Sequence, residues 1–333
     1  MDWLTENKIP IGKWFANLMD FVNEYFYWFF DAIADVLSFL IEGLTDILLL
    51  VPAPILIALF AIGGYSRMIG DAEKSPFVVR TSLTIPQLNY PFGKWAYDKA
   101  GIKSVYTLVA DYGPGHDAEK AFAKGFEEAG GKIVGADQSP VANPDFSAFV
   151  QRIKDAQPEA VYVFIPGGAQ PPALGKALAE RGLTPPETKI LAQGELTLPE
   201  AIESMGATAD GIITTFHYTM ERDDPINNEF VKAFRDANDG RSPDIFSVGG
   251  YDGMHLIYEA LKKTDGDTDG AKLVDAAKGM AWDSPRGPIS IDPETRDIVQ
   301  TVYIRKTERV NGQLVNVEFD QFERVKDPAK AAP

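Results

Sequence analysis

Cysteine is absent from the 333 residues, which excludes structural disulfides and thiolate metal sites in any compartment. Histidine is scarce: His116, His217 and His255 stand far apart and lack metal-ligand spacing. Positive charge is in deficit. With 32 Lys+Arg against 48 Asp+Glu, the net charge of −16 leaves nothing to neutralise phosphates, so nucleic acid is excluded as a partner. Also missing are a G-x-S-x-G elbow, a P-loop and a G-x-G-x-x-G opening a first βαβ unit. The loop "DYGPGHD" has too few glycines in the required places, and paired carboxylates occur only in solvated runs such as "ERDD" and "DGDTDG". No convincing nucleophile or general base emerges, so the chain reads as non-enzymatic, with neither cofactor nor metal.

Two unlike regions are present instead. Residues 1–46 carry an aromatic density that a water-exposed helix would not, from Trp3 and Trp14 to "YFYWFF", with Asp31, Asp35, Glu42 and Asp46 marking a polar stripe. An amphipathic helical segment on a membrane surface or in a partner groove is the expectation. From Ile47 to Ser66 run 20 residues without a charge, the length of a bilayer-crossing helix. Pro52 and Pro54 are tolerated better in such a helix than in a soluble one. Arg67, Lys74 and Arg80 follow the run closely and weight the charge bias toward a cytoplasmic location for what comes after.

From about Ser104 short β-branched or aromatic runs alternate with helical patterns: "SVYTLVA", "KIVGADQ", "AVYVFIP", "KILAQ" and "GIITTFHY" are the strands. That alternation predicts a doubly wound parallel α/β sheet with its ligand beyond the carboxyl ends of the strands. The rule selects four loops: 111–117, 166–172, 194–199 and 217–224. They hold an aromatic (Tyr112), an amide (Gln170) and a carboxylate (Glu195), with Gly113 and Gly115 expected to relieve Cβ clashes at the turn. Near the end, Asn311-Gly312 between two strand-like runs is a strong hairpin signal.

Two resemblances follow. "MDWLTENKIPIGKWFANLMDFV", "FFDAIADVL" and "LLLVPAPILIALFAI" resemble the N-terminus of glycine betaine/proline-type ABC transporter permeases, without any of the transport core. From "RTSLTIPQLNYPFGKWAYDKAGIKSVYTLVADYGPGHD" through "SVGGYDGMHLIYEALKK" to "DSPRGPISIDPETRDIVQTVYIRK", the chain resembles the leucine-binding type of substrate-binding protein from branched-chain amino acid ABC importers. This resemblance implies periplasmic-binding-protein type I lobes that close on a solute. It implies an ABC permease as partner, and a small-molecule ligand such as a branched-chain amino acid or related small carboxylate. Its tyrosine loop matches Tyr112 and Gly113, and its ammonium-accepting acid matches Glu195. The family's pocket aromatic is replaced near Ala169 and Gln170, which is compatible with an aromatic acid, and Tyr251 completes the set of expected ligand residues.

The resemblance also implies missing parts, because the βα units that begin lobe one and hold the ligand carboxylate are displaced by residues 1–66. The expected division is therefore 67–103 as a remnant of lobe one, 104–220 as lobe two, 221–300 as the return to lobe one, 301–325 as crossing strands and 326–333 as a tail. The leading expectation is an inner-membrane-tethered solute-binding protein with periplasmic lobes. Two alternatives stand beside it: a partly folded fusion that binds nothing, and a membrane-anchored ligand sensor.

Overall fold

The computed structural model describes residues 77–330. The segments 1–46 and 47–66, expected to be amphipathic and membrane-spanning, lie outside the described residues. Among the described residues no helix is long and apolar enough to cross a membrane.

Strict alternation along each strand builds the core. In β1 (Ser104–Ala110), Val105 and Val109 enter one apolar cluster, while Tyr106 and Leu108 enter another. The same split recurs in β3 (Ala160–Phe164) and β4 (Lys189–Gln193), where Tyr162 and Leu191 face one way and Val163 and Ala192 the other. Both faces of these strands are buried, so each needs a helical layer. One layer is α1 (Ile85–Asp98) with α2 (Gly113–Glu128), whose Phe92, Trp95, Phe122 and Phe126 join the first cluster. The other is α3 (Ser147–Ala156), α4 (Gln170–Glu180) and α5 (Pro199–Met205), carrying Val150, Leu174 and Ile202.

With β2 (Lys132–Ser139) and β5 (Ile213–Phe216), the spatial order is β2-β1-β3-β4-β5, parallel throughout. The sheet is mixed rather than wholly parallel. The long β8 (Ile298–Val310) adds antiparallel to β5 through Tyr303–Lys306, while its start pairs with β7 (Gly287–Ile291). Beyond β7 lies β6 (Ala281–Ser284), and β9 (Gln313–Val325) pairs along β8. The β8–β9 turn is Asn311-Gly312 at φ of 52° and 85°, the two left-handed positions that a two-residue hairpin of matching twist requires. The remaining helices are α6 (Pro225–Ala237), α7 (Ile245–Lys263) and α8 (Gly270–Ala277), the last two packing on β7 through Leu256, Leu273 and Ile291.

The "RTS" run, Arg80–Ser82, is a strand in the family that the chain resembles but is not one here. Arg80 N–H donates to the Arg296 carbonyl at 3.0 Å. Side chains replace the ladder: the Arg286 guanidinium donates to the Thr81 and Ser82 carbonyls, and Gln300 Nε2 donates to Ser82 at 2.8 Å. Arg286 is itself buried against Asp252 at 2.7 Å, and Asp252 also accepts from Trp282 Nε1 and Ser284 Oγ. Arg80 is 1% exposed and paired with Asp297 at 2.9 Å. A cation enclosed in that way is not an interfacial charge, so it drops out of the topology argument made from the residues flanking the apolar run.

Candidate functional site

Because β1, β3, β4 and β5 run parallel, the loops after them emerge at one sheet edge. Tyr112 follows β1, Gln170 follows β3, Glu195 follows β4 and His217 follows β5. The strands that lead into Tyr112 and Glu195, β1 and β4, stand two strand spacings apart, about 10 Å.

The first loop turns at once into α2, with Tyr112 extended at its N-cap, φ −159° and ψ 169°. A Cβ on Gly115 would lie 2.0 Å from the Ala110 carbonyl oxygen, so only glycine fits there. Gly113, expected to have the same steric role, has open space where its Cβ would be, so crowding does not explain it. The half-buried Tyr112 ring leans on Phe164, centroids 6.2 Å apart, which places an aromatic face at the end of β3. His116 lies in the first turn of α2 and pairs at the surface with Asp111 at 2.9 Å.

Ala169 is exposed, and Gln170 begins α4 with Nε2 donating to the Val141 carbonyl at 2.7 Å. The Gln170 Oε1 is buried without a partner. Tyr251 does not join this group through its ring contacts: on α7 and 44% exposed, it packs against Phe230 of α6 at 5.2 Å.

Glu195 sits in a short 3₁₀ turn, Gly194–Thr197. A Cβ on Gly194 would come within 2.2 Å of the Phe216 ring, so glycine lets β4 close onto β5 at this point. The residue is half-buried while its Oε2 is fully enclosed and unpartnered; Oε1 accepts from Gln193 Nε2 at 3.0 Å. Burial holds the carboxyl above the usual carboxylate range, opposed by its own backbone N–H, Gln193 and Arg305. Tying one carboxyl oxygen and leaving the other without a partner makes a hydrogen-bonding terminus for a small polar group.

His217 is fully buried, and neither ring nitrogen has a partner. Burial first, then the Arg286 and Arg305 guanidiniums, hold it well below the ordinary histidine value, so it is a neutral imidazole. Arg305 is likewise enclosed, bonded to Thr214 Oγ1, the Tyr218 carbonyl and Thr197 Oγ1, and burial lowers it to about 10.

Sequence reasoning missed Asn89, Gln193, Tyr162 and Arg305 as parts of this polar centre. The one legible signal was parity: Gln193 shares the strand face of Leu191, which points toward α1. A separate cleft of about 610 Å³ is lined by Arg222, Trp282, Asp283, Tyr303 and Glu323 among others, and none of the expected ligand residues lines it. Among the described residues no group of acidic, histidine or cysteine side chains could hold a metal.

Comparison with known proteins agrees with this architecture. The periplasmic binding protein family matches residues 47–312, a stretch that takes in the apolar run. A Leu/Ile/Val-binding protein homolog 6 of Brucella melitensis is 44% identical over 261 residues, 78% of this chain and 67% of that protein. An ABC transporter solute-binding protein of Rhodopseudomonas palustris BisB5, solved with 3,4-dihydroxybenzoic acid, is 50% identical with a TM-score of 0.73, covering 78% of this chain and 70% of that one. Its counterpart from strain HaA2, solved with p-hydroxybenzoic acid, is 38% identical with the same score and coverage. The chain belongs to the periplasmic binding protein family, as a substrate-binding protein of the branched-chain amino acid ABC transporter type.

Proposed function

We propose that this chain is the periplasmic solute receptor of an ABC importer and that it takes a hydroxylated aromatic acid, which it passes to an ABC permease. The observation that carries the reading is the Glu195 carboxyl: enclosed, weakened in acidity by burial, with Oε2 unpartnered and the Tyr112 and Phe164 rings on the same sheet edge. An ammonium ligand gains most from a fully ionised carboxylate, whereas a ligand hydroxyl bonds to the carboxyl in either protonation state. The small Ala169, where the family places an aromatic, leaves width for a ring. The two relatives solved with hydroxylated benzoic acids support the same choice. Tyr112, Gly113, Ala169, Gln170 and Glu195 are the proposed contacts from 104–220 as lobe two. Tyr251 is proposed from the return segment 221–300, which approaches when the lobes close as a hinged pair.

Calorimetry on the detergent-solubilised full chain with 4-hydroxybenzoate, 3,4-dihydroxybenzoate, benzoate and leucine tests the proposal. The hydroxylated acids are expected to bind about tenfold tighter than benzoate, the worth of one good hydrogen bond to a buried group. Leucine binding with no aromatic acid bound would overturn it in favour of a branched-chain amino acid, the reading that the name of the Brucella relative favours. The tether formed by residues 1–66 belongs to the same proposal. Retention of the chain in carbonate-washed membranes supports it, and release into the wash rejects it.

A further inference from the structure

A hydrogen-bond chain buried beneath the sheet edge ends on Glu195. It begins at Tyr162, whose ring is clamped against Phe122 with centroids 4.0 Å apart and planes 15° apart. The Tyr162 hydroxyl donates to Asn89 Oδ1 at 2.6 Å. That bond fixes the orientation of the Asn89 amide, so its nitrogen must donate, and it does: to the Ile85 carbonyl at 2.8 Å and to Gln193 Oε1 at 2.5 Å. The Gln193 amide is oriented in turn, and its Nε2 donates to Glu195 Oε1 at 3.0 Å. Each donor points toward the carboxyl. Tyr162, Asn89 and Gln193 are no more than 1% exposed, so water does not compete for these bonds.

Resting on the ligand role proposed above for Glu195, we infer that Asn89 and Gln193 are positioning residues for solute recognition. With the Tyr162 hydroxyl as anchor, they commit Glu195 Oε1 inward and present Oε2 to a hydroxyl of the solute. The chemistry is directional. Oε1 already accepts an N–H, so a proton taken up by Glu195 resides on Oε2 and donates outward from there. When Glu195 is ionised, Oε2 accepts instead. A hydroxyl is both donor and acceptor and satisfies both states, whereas an ammonium only donates. The relay therefore selects for a hydroxylated ligand at this end of the site, and it makes that selection depend on α1, which supplies Asn89.

The test compares Gln193→Met, which keeps side-chain length but removes the donor, with Tyr162→Phe at the far end. Two readouts are taken on the full chain. The first is the titration of the Glu195 carboxyl by carbon-13 NMR without ligand. The second is the ratio of affinities for 4-hydroxybenzoate and benzoate. Gln193→Met is expected to raise the Glu195 pKa, because the bond to its ionised form is lost, and to cut the preference for the hydroxyl about tenfold. Tyr162→Phe should move both in the same direction by less. An unmoved Glu195 titration in either folded variant overturns the inference, and Tyr162→Phe decides alone if Gln193→Met does not fold. Wild type that binds no aromatic acid, with a titration that still moves, removes the proposed ligand and leaves the relay supported. Aromatic-acid binding with an unmoved titration does the reverse.

Discussion

Arg286 and Asp252 are both fully enclosed and 2.7 Å apart, and between them they satisfy Ser82, Gln300, Ser284 and Trp282. Removing one partner leaves an uncompensated buried charge, so Arg286→Met is expected to cost about 3–5 kcal/mol, measured by urea unfolding. The double variant Arg286→Met with Asp252→Leu should recover most of that loss. Gly194→Ala offers a steric counterpart. Its Cβ would meet the Phe216 ring and the Arg305 guanidinium, and overpacking of this kind costs roughly 1–3 kcal/mol. Neither residue declared itself in sequence. Arg286 read as one charge among many, since the carbonyls it serves lie some two hundred positions earlier in the chain. Glu195 and Tyr112 were legible as loop residues after strands; the enclosure of Oε2 was not, because it depends on how elements distant in sequence pack together.

At the scale of elements, local chemistry carried further. Helix α1 starts with a complete capping box, Thr84 bonding Gln87 N–H and Gln87 reaching back to Thr84 N–H, with Pro86 in its first turn. Thr84→Ala is expected to cost about 1 kcal/mol and to raise amide exchange selectively across 85–90. The Asn311-Gly312 hairpin is specified in the same local way, by two residues that accept positive φ. At Arg80–Ser82 the strand that the family resemblance implies is not formed. A run that reads as extended needs a neighbouring strand to become one, and here its carbonyls are taken by Arg286 and Gln300. The parallel strands were recognisable because burial on both faces leaves continuous apolar runs; the antiparallel addition of β8 was not, since its partner β5 lies about ninety residues upstream.

For the whole molecule, stability should vary with pH in two opposed ways. His217 is held well below its ordinary value of 6.5 by burial and by Arg286 and Arg305. The folded state thus refuses a proton that the unfolded chain accepts. The corresponding stability is complete above about pH 6.5 and is lost as pH falls from there toward the folded-state pKa. Glu195, Glu318 and Asp327 are raised by burial, so their contribution is complete below the ordinary carboxylate range, about pH 4, and is lost as pH rises through their raised values. Thermal melts of wild type and His217→Gln between pH 5 and 8 distinguish the two effects. The variant should lose less of its Tm than wild type on acidification below about pH 6.5, and equal slopes would refute the assignment.

The sequence by itself determined the α/β class and the sheet edge at which the loops after the parallel strands emerge. Those properties rest on local periodicity and on the rule that parallel strands end together. Tertiary structure decided which polar groups meet there: that Tyr162, Asn89 and Gln193 align behind Glu195, and that His217 is buried within the field of the Arg286 and Arg305 guanidiniums. Hydrogen bonds between residues a hundred positions apart leave no periodic trace along the chain, because their geometry exists only after distant strands and helices have packed.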